Sequence, residues 1–349
     1  MDEWWLRLKQ GFGLPSGIAS LFGGIEGLLA EFCRAPTLRW SGCLRRESQS
    51  PISGEPARSG APYTFNILKV ISIIDDMRAA SRAVRRGEKR LGFVPTMGAL
   101  HEGHLSLVRG ARGASDVVVA SIFVNPTQFG PNEDLAKYPR SFQRDCEMLE
   151  REGVEFVFAP SVEEMYPAGA VTWVTVEELS GKLDGRSRPG HFRGVTTVVA
   201  KLFHIVEPDK AFFGQKDAAQ VAIIRRMVRD LNLPVEIVVC PIVRETDGLA
   251  MSSRNAYLNL DERRQALVLN RSLMRVQELV GAGERDATRL VAAGREEFAR
   301  ESAVRLDYFE VVDPETLDPV ANVSRGTLVA AAAYVGPTRL IDNVLLAPR

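Results

Sequence analysis

The sequence has 349 residues, 45% of them hydrophobic and 25% charged, which is a globular composition long enough for two domains. Lysine plus arginine and aspartate plus glutamate both number 44, so the formal net charge is zero. This balance argues against nucleic acid as a partner, because proteins that bind phosphate backbones usually carry a basic excess. No apolar run approaches the ~20 residues that cross a bilayer, so no membrane span is expected.

The cysteines indicate a reducing compartment. None of the four stands in a Cys-x-x-Cys pair, and their spacing matches neither a disulfide framework nor a zinc site. We therefore expect free thiols in a cytoplasmic protein. The four are Cys33, Cys43, Cys146 and Cys240.

The first 66 residues differ in composition from everything that follows. A stretch rich in Ser, Pro, Gly and Arg, residues 45–62, has neither helical nor strand periodicity and is expected to be disordered. A transit peptide is a weaker alternative, because four acidic residues within the first 31 are unlike such segments. We predict that residues 1–66 are an extension outside the working enzyme.

From residue 67 to 242 the pattern is that of an α/β domain. Short apolar runs bounded by turn residues, typical of buried parallel strands, alternate with helical patterns. This alternation predicts a Rossmann-like, doubly wound parallel sheet. The predicted strands are 91–95, 116–124, 154–158 and 235–239, and the predicted helices are 75–86, 104–114, 141–151, 196–206 and 217–230.

Residues 243–349 have a different texture. Two long polar helices, 261–281 and 286–300, precede strands near 306–313 and 327–335. We predict a smaller C-terminal α+β domain that closes over the first as a lid.

The strongest functional signal is the segment PTMGALHEGH at 95–104. An apolar strand enters a glycine-containing turn, and His101 and His104 follow at the start of a helix, where residues three apart share one face. The free N–H groups and positive dipole of a helix start bind anions, and two imidazole donors there suit a nucleotide triphosphate. Gly103, between them, would let the ligand approach the backbone closely. A zinc pair is disfavoured because no further ligand is adjacent.

Three other segments carry polar groups suited to anions and hydroxyls. In FFGQKD at 212–217, Lys216 is a point charge for phosphate, and Asp217 either accepts from ribose hydroxyls, caps the next helix, or does both. In DGLAMSSRN at 247–255, two serines and Arg254 could clamp an anion. Residues 121–130 lie at the carboxyl end of a strand, where open α/β sheets bind ligands. No Walker or Gly-x-Gly-x-x-Gly motif is present.

Taken together, these segments resemble the pantothenate synthetases (pantoate–β-alanine ligases), a family within the nucleotidyltransferases that carry a His-x-x-His signature. The resemblance covers about residues 67–346 and includes SIFVNPTQFGPNEDLAKYPR at 121–140 and RPGHFRGV at 188–195. It implies an enzyme that condenses pantoate with β-alanine, using ATP and Mg²⁺, through a pantoyl adenylate, in pantothenate and coenzyme A biosynthesis. It also implies a homodimer.

The resemblance implies roles residue by residue. His104 corresponds to the catalytic proton donor, and His101, Lys216 and Arg254 act with it on the phosphates. ATP would contact Met97, Gly98, Ala99, Leu100, His101, Glu102, Gly103, His104, Gly214, Gln215, Lys216, Asp217, Val243, Met251, Ser252, Ser253 and Arg254. Pantoate and β-alanine would contact Gln128 and Gln220, with Asn125, Tyr138 and Arg188 nearby, and Asp145 is a candidate outer ligand of Mg²⁺.

Two departures from the family pattern stand out. Gln215 occupies a position where a glutamate is expected. The family begins near a segment like 68–72, and no methionine lies between Met1 and Met77, so one hypothesis is a non-AUG start near Leu68 or Val70.

Three alternative classes remain open at this point. Another His-x-x-His adenylyltransferase would use a phosphate acceptor, and it would lack the paired glutamines and the FFGQKD segment. A fragment of an aminoacyl-tRNA synthetase would need a basic face for tRNA. A non-catalytic nucleotide-binding module would show no ATP–pyrophosphate exchange.

Overall fold

The computed structural model describes residues 68–131 and 133–347. The predictions for residues 1–66, including the disordered stretch 45–62 and the thiols of Cys33 and Cys43, lie outside these residues. In the described part of the chain, no helix combines the length and the apolar character that a membrane span requires.

A six-stranded parallel sheet forms the larger part of the fold. Its spatial order is β1-β4-β3-β2-β5-β6, and every neighbouring pair is parallel. The doubly wound parallel sheet predicted from the alternating pattern is confirmed. The strands are β1 Lys69–Ile71, β2 Leu91–Thr96, β3 Val117–Ile122, β4 Phe156–Phe158, β5 Lys210–Gly214 and β6 Glu236–Cys240.

Helices cover both faces of this sheet, which explains why its strands are continuous apolar runs in the sequence. Phe93 and Val119 belong to one core cluster, whereas Val94 and Val118 belong to the cluster on the opposite face. The helices are α1 Ile74–Arg86, α2 Glu102–Ala114, α3 Phe142–Arg151, α4 Val162–Met165, α5 Asp184–Ser187, α6 His191–Val206 and α7 Ala218–Asp230.

The C-terminal part contains a three-stranded antiparallel sheet with helices. Alternate residues of β8 pack into different cores: Leu328 with the core of the parallel sheet, and Val329 with the C-terminal helices. Burial on both faces makes this antiparallel strand apolar throughout. The elements are α8 Leu260–Ala266, α9 Val268–Gly281, α10 Ala287–Ala299, β7 Val304–Val312, β8 Leu328–Val335 and β9 Thr338–Leu345.

Several element boundaries differ from the predictions. The helix predicted at 261–281 is interrupted at Leu267, where ψ is −15°. Helix α6 begins at residue 191, five residues before the predicted start at 196. The apolar pattern placed the start too late because the first turn contains His191, Arg193 and Gly194. Strands β1, β5 and β9 were not predicted. Strand β1 has only three residues, and β9 carries the polar pair Asp342 and Asn343 in its middle.

The strand order places the functional segments. In an open parallel sheet, ligands bind outside the carboxyl ends of the strands, at the point where the order reverses. Here the chain moves outward from β2 through β3 to β4 and then returns to β5 on the other side of β2. The point of reversal therefore lies between β2 and β5.

Candidate active site

Four sequence segments meet at the carboxyl edge of the parallel sheet. The segments following β3, β2, β5 and β6 begin near residues 123, 97, 215 and 241, and their strands are neighbours in that order. The two histidines thus follow β2 and Lys216 follows β5, on the two sides of the reversal point. Motifs more than a hundred residues apart in sequence become adjacent because their strands pair.

In the loop after β2, hydrogen bonds to a buried carboxylate offset local backbone strain. Gly98 and Ala99 have φ of +82° and +52°, and a left-handed alanine costs about 1–2 kcal/mol. The carboxylate of Asp145, which is 1% exposed, accepts from the backbone N–H of Ala99 at 2.8 Å and of Leu100 at 2.9 Å. It also accepts from the hydroxyl of Ser141 at 3.0 Å. Asp145 therefore holds the loop in place.

These contacts bear on the prediction that Asp145 is an outer ligand of Mg²⁺, which stays a prediction. Both carboxylate oxygens are engaged by backbone and hydroxyl donors, and the side chain is buried away from the cavities. Across residues 68–131 and 133–347, no group of three or more His, Cys, Asp or Glu side chains is arranged to hold a metal ion.

The two histidines cap helix α2 reciprocally. The ring Nδ1 of His101 accepts from the backbone N–H of Gly103 at 3.1 Å, and the Nδ1 of His104 accepts from the backbone N–H of His101 at 3.3 Å. The ring centroids lie 4.1 Å apart. Because each Nδ1 is an acceptor, each neutral ring carries its proton on Nε2. The cap therefore presents two Nε2–H donors at the start of the helix, as an anion site requires.

Gly103 is needed by the histidines themselves. A β-carbon at this position would lie 2.9 Å from both Cε1 and Nδ1 of His101. The sequence predicted that this glycine lets a ligand approach the backbone. In the structure, the group that approaches it closely is the imidazole of His101.

The environment keeps both imidazoles neutral. Burial and the nearby Lys216 ammonium lower the pKa of His101 to about 4. Burial, with smaller contributions from His101 and Lys216, lowers the pKa of His104 to about 3. At neutral pH both rings act as hydrogen-bond donors through Nε2 and carry no charge.

These shifts predict a pH-dependent stability. Burial and the Arg188 guanidinium also lower the pKa of His191 to about 4, whereas an unfolded histidine titrates near 6.5. Below about pH 6.5 the unfolded chain gains protons that the folded chain does not, so the free energy of unfolding falls as the pH drops toward 4. Urea unfolding at about pH 7.5 and about pH 5 should show a lower midpoint at the acidic value.

Two histidine variants test the cause of this loss. His191→Asn removes one of the three rings whose pKa is lowered and should make the pH dependence shallower. His204→Asn removes the exposed ring on helix α6 and should leave it unchanged. An unaltered slope in His191→Asn would contradict the assignment to buried imidazoles.

A small cavity of about 170 Å³ lies over β2, β5 and β6. The Nζ of Lys216 lies 3.7 Å from the carboxylate of Asp217. Asp217 stands at the start of helix α7 but its side chain makes no capping hydrogen bond, which leaves its carboxylate available to a ligand. The predicted site residues that line this cavity are Met97, His101, Gly103, His104, Tyr138, Gly214, Lys216, Asp217, Val243, Met251, Ser252, Ser253 and Arg254.

The serine–arginine segment contributes a cation held by a loop carboxylate. Arg254 donates to both oxygens of Asp134, at 2.9 and 3.0 Å. Ser253 Oγ donates to the carbonyl of Ala99 at 3.2 Å, which joins this segment to the loop after β2. A phosphate that binds Arg254 would compete with Asp134 for the guanidinium.

A larger cavity of about 830 Å³ shares Lys216, Asp217, Ser252 and Arg254 with the small one, so the two are adjacent. It is lined by two of the predicted site residues, Gln220 and Arg188. Arg188 pairs with both oxygens of Glu133, at 2.8 and 2.6 Å.

Gln128 and Asn125 lie together behind the larger cavity. The Nδ2 of Asn125 donates to Gln128 Oε1 and to the carbonyl of Gly194, both at 3.1 Å. The Nε2 of Gln128 lies 3.0 Å from the sulfur of Met97. The structure thus brings Gln128 against the loop that carries the histidines.

Some predicted ATP contacts lie outside both cavities. Glu102 is exposed and pairs with Arg109, so its side chain belongs to the surface. Leu100 is buried in the core, and the side chain of Gln215 contacts Asn343. The predicted residues that line neither cavity are Gly98, Ala99, Leu100, Glu102, Gln215, Asn125, Gln128 and Asp145.

Sequence reasoning missed several residues of the site. His191 lies within the RPGHFRGV segment: Arg188 Nη1 lies 3.0 Å from its Nε2, and its Nδ1 lies 2.8 Å from the carbonyl of Gln128. Arginine only donates, so Nε2 is the acceptor and Nδ1–H the donor. Glu133 and Asp134 lie within the segment 121–140, yet only the structure shows their arginine partners. No local signal in the sequence indicates Asn343.

A doubly wound sheet with a two-imidazole anion site at its reversal point defines an α/β nucleotide-binding enzyme. The sequence profile of the pantoate–β-alanine ligase family matches residues 69–345. The chain belongs to this family. It is 67% identical over 284 residues to a pantothenate synthetase of Acidobacterium capsulatum, with 78% of this chain and 95% of that protein covered.

Solved structures agree. Pantothenate synthetase from Thermus thermophilus superposes with a TM-score of 0.76 at 47% identity, over 80% of this chain and 100% of that one. A pantoate–β-alanine ligase from Francisella tularensis, solved in complex with β-γ ATP and β-alanine, gives a TM-score of 0.63 at 32% identity, over 81% and 100%. The chain is an enzyme that condenses pantoate with β-alanine. The three alternative classes are thereby set aside.

Proposed function

We propose that the condensation runs in two half-reactions along the carboxyl edge of the parallel sheet, with ATP as substrate. The single observation that carries this proposal is the order of the four segments at neighbouring strand ends. Adenine would lie over β6, the triphosphate between β5 and β2, and pantoate over β3. A nucleotide lying across the sheet would thus bring its α-phosphate toward the carboxylate of pantoate.

The small cavity suits the adenosine end of ATP. The carbonyl of Val243 accepts from the backbone N–H of Met251 at 3.0 Å, which holds the two apolar residues at the cavity wall. Asp217 presents a carboxylate for ribose hydroxyls. The Nε2–H groups of His101 and His104, the ammonium of Lys216 and the segment 252–254 would meet the phosphates.

The larger cavity suits the two acceptor substrates. Gln220 lines it, and Gln128 stands behind it, so their amides would hydrogen-bond the hydroxyls and carboxylate of pantoate. Arg188 lines this cavity and Tyr138 lines the small one, and both would act on β-alanine or on the closing loops.

In the first half-reaction a carboxylate oxygen of pantoate attacks the α-phosphorus of ATP, and the bond to pyrophosphate breaks. In the second, the amine of β-alanine attacks the acyl carbon of pantoyl adenylate, AMP leaves, and the amine loses a proton. The enzyme's residues contribute by orienting the reactants and by donating hydrogen bonds to developing negative charge. His104, with its Nε2–H, is the proposed donor closest to the transferred group.

Pantoate-dependent ATP–pyrophosphate exchange on residues 67–349 tests this proposal. Exchange that requires pantoate, followed by AMP release when β-alanine is added, is the expected result. Exchange without pantoate, or pantothenate formation without any exchange, would contradict an adenylate route. If only the full-length chain is active, the prediction that residues 1–66 are dispensable fails.

Mg²⁺ is proposed to enter as a complex with the triphosphate, since the described residues offer no preformed metal site. The same exchange assay with and without Mg²⁺ checks this requirement. A full rate in the presence of a chelator would contradict it.

The remaining expectations stay predictions. A lid role for residues 243–349 would show as protection of that part from hydrogen exchange when ATP binds. A homodimer is supported by the apolar side chains of Val171 and Trp173, which are 84% and 44% exposed, and light scattering would measure it. A cytoplasmic location is supported by the free, buried thiols of Cys146 and Cys240, and cell fractionation would test it.

A further inference from the structure

The turn that carries Lys216 is held by one side chain of the C-terminal sheet. Gln215, Lys216 and Asp217 form a 3-10 turn directly after β5. Asn343, on β9 and only 3% exposed, donates through Nδ2 to the carbonyl of Gln215 at 2.9 Å and to the carbonyl of Lys216 at 2.8 Å. Both carbonyls of this dipeptide thus point at a single amide.

The third polar interaction of Asn343 goes to the same dipeptide. Its Oδ1 accepts from Nε2 of Gln215 at 2.9 Å. An asparagine amide has two N–H donors and one carbonyl, and here all of them are used within residues 215 and 216. A side chain that only satisfied the hydrogen bonds of its own strand would not place all of its bonds on one dipeptide. Here that dipeptide carries Lys216, the lysine proposed to face the phosphates.

The neighbouring residue anchors Asn343 on the opposite side. Asp342, 2% exposed, accepts from the backbone N–H of Asn343 at 2.8 Å. Its carboxylate also accepts two hydrogen bonds from Arg244, at 2.6 and 3.0 Å. Arg244 directly follows Val243, at the proposed adenine end. Two consecutive residues of β9 therefore hold the segments after β5 and after β6.

We propose that Asn343 is a positioning residue that fixes the Lys216 peptide, and hence its ammonium, in the geometry that the first half-reaction uses. This inference rests on the proposed role of Lys216. The amide of Gln215 adds to this support, because it donates to Asn343 Oδ1, a contact that an ionised glutamate could not make in this orientation.

Asn343→Asp is the primary test because it changes few atoms. An ionised aspartate has no donor, and it would face two carbonyl oxygens. The turn should shift, and a misplacement of about 1 Å costs on the order of 10²-fold in rate. Pantoate-dependent ATP–pyrophosphate exchange should fall by that order and the KM for ATP should rise, while the KM for β-alanine should stay unchanged.

A double-mutant cycle with Lys216→Ala separates positioning from structure. If Asn343 acts through Lys216, adding Asn343→Asp to Lys216→Ala should cost little further activity. Losses that multiply in the double variant would overturn the inference. Normal exchange in Lys216→Ala would instead refute the role of Lys216 itself. Impaired Lys216→Ala with normal Asn343→Asp would refute only the positioning role.

Val329→Ala is the matched control, because Val329 is fully buried in the same sheet but packs against the C-terminal helices. It should lower the denaturant midpoint and leave the KM for ATP unchanged. If Asn343→Asp does not fold, Gln215→Ala removes one of the three hydrogen bonds at a partly exposed position and should raise the KM for ATP less strongly. A KM for ATP that does not respond to Gln215→Ala would also contradict the proposal.

Discussion

Replacing His104 by asparagine is expected to lower pantoate-dependent ATP–pyrophosphate exchange by about 10²–10³-fold, the usual cost of removing one preorganised donor from a developing charge. Asparagine approximates the Nδ1 side of the ring, so it can still accept from the backbone N–H of His101 and keep the helix cap. What it lacks is the Nε2–H. Steady-state exchange under saturating ATP and pantoate is the measurement.

The matched variant is His104→Gln, whose side-chain amide reaches approximately to the position of Nε2. It should retain more exchange activity than the asparagine variant, although it loses the cap to His101. Higher activity in the asparagine variant than in the glutamine variant would mean that the cap matters more than the donor. Exchange in His104→Asn close to that of the unaltered chain would refute the donor role.

Gly194→Ala is expected to impair pantoate use strongly. A β-carbon at Gly194 would lie 2.4 Å from the carbonyl oxygen of Thr127 and 2.6 Å from the backbone nitrogen of Gln128. Backbone atoms cannot rotate away as a flexible side chain can, so α6 and the turn at 126–128 must separate. Gln128 would move by roughly 1 Å, for which a loss of about 10²-fold in exchange is expected. Overpacking should also reduce the free energy of unfolding by about 1–3 kcal/mol.

The kinetic signature distinguishes this effect from general destabilisation. The KM for pantoate should rise more than the KM for ATP, because the displaced turn belongs to the β3 end of the site. Gly113→Ala is the control: it lies on the exposed face of α2, and apart from its chain neighbours and the backbone of its own helix no atom lies within 4 Å of its β-carbon. That variant should keep its activity, and a helical glycine-to-alanine change gains about 0.5–1 kcal/mol. An unchanged KM for pantoate in Gly194→Ala would argue against the placement of Gln128 in the substrate site.

The candidate site contains two sets of residues: one set lies near the cavities, and the other holds the first in place. The groups proposed to face the nucleotide come from loops at the carboxyl ends of the strands. Their positions are then held by residues from other parts of the chain: Asp145 for the loop after β2, Asn343 for the turn after β5 and Asp342 for the segment after β6. Each support is a buried polar side chain with its hydrogen bonds satisfied, as burial demands.

Local chemistry in the sequence was sufficient for much of the description. The alternation of apolar runs and helical patterns predicted the doubly wound sheet because parallel strands buried on both faces must be apolar throughout. The spacing of His101 and His104 predicted a shared face at a helix start because helical periodicity is a local property. The segments that carry the family resemblance were also visible, since each is continuous in the chain.

Contacts between distant parts of the chain were decided only by the tertiary structure. The sequence does not show that the carboxylate of Asp145 accepts from the backbone of residues 99 and 100, because that contact joins separate segments. The charge of the two imidazoles was open, because it depends on burial and on Lys216, which reaches them through the pairing of β2 with β5.

Asn343 is the clearest case, 127 residues from Lys216 and without any motif of its own. Sequence by itself determined which groups are present and what local backbone carries them, because helix caps, strand periodicity and turns depend on near neighbours. Strand order and packing bring remote segments together. They therefore decide which groups meet and which carboxylates and amides hold other residues in place.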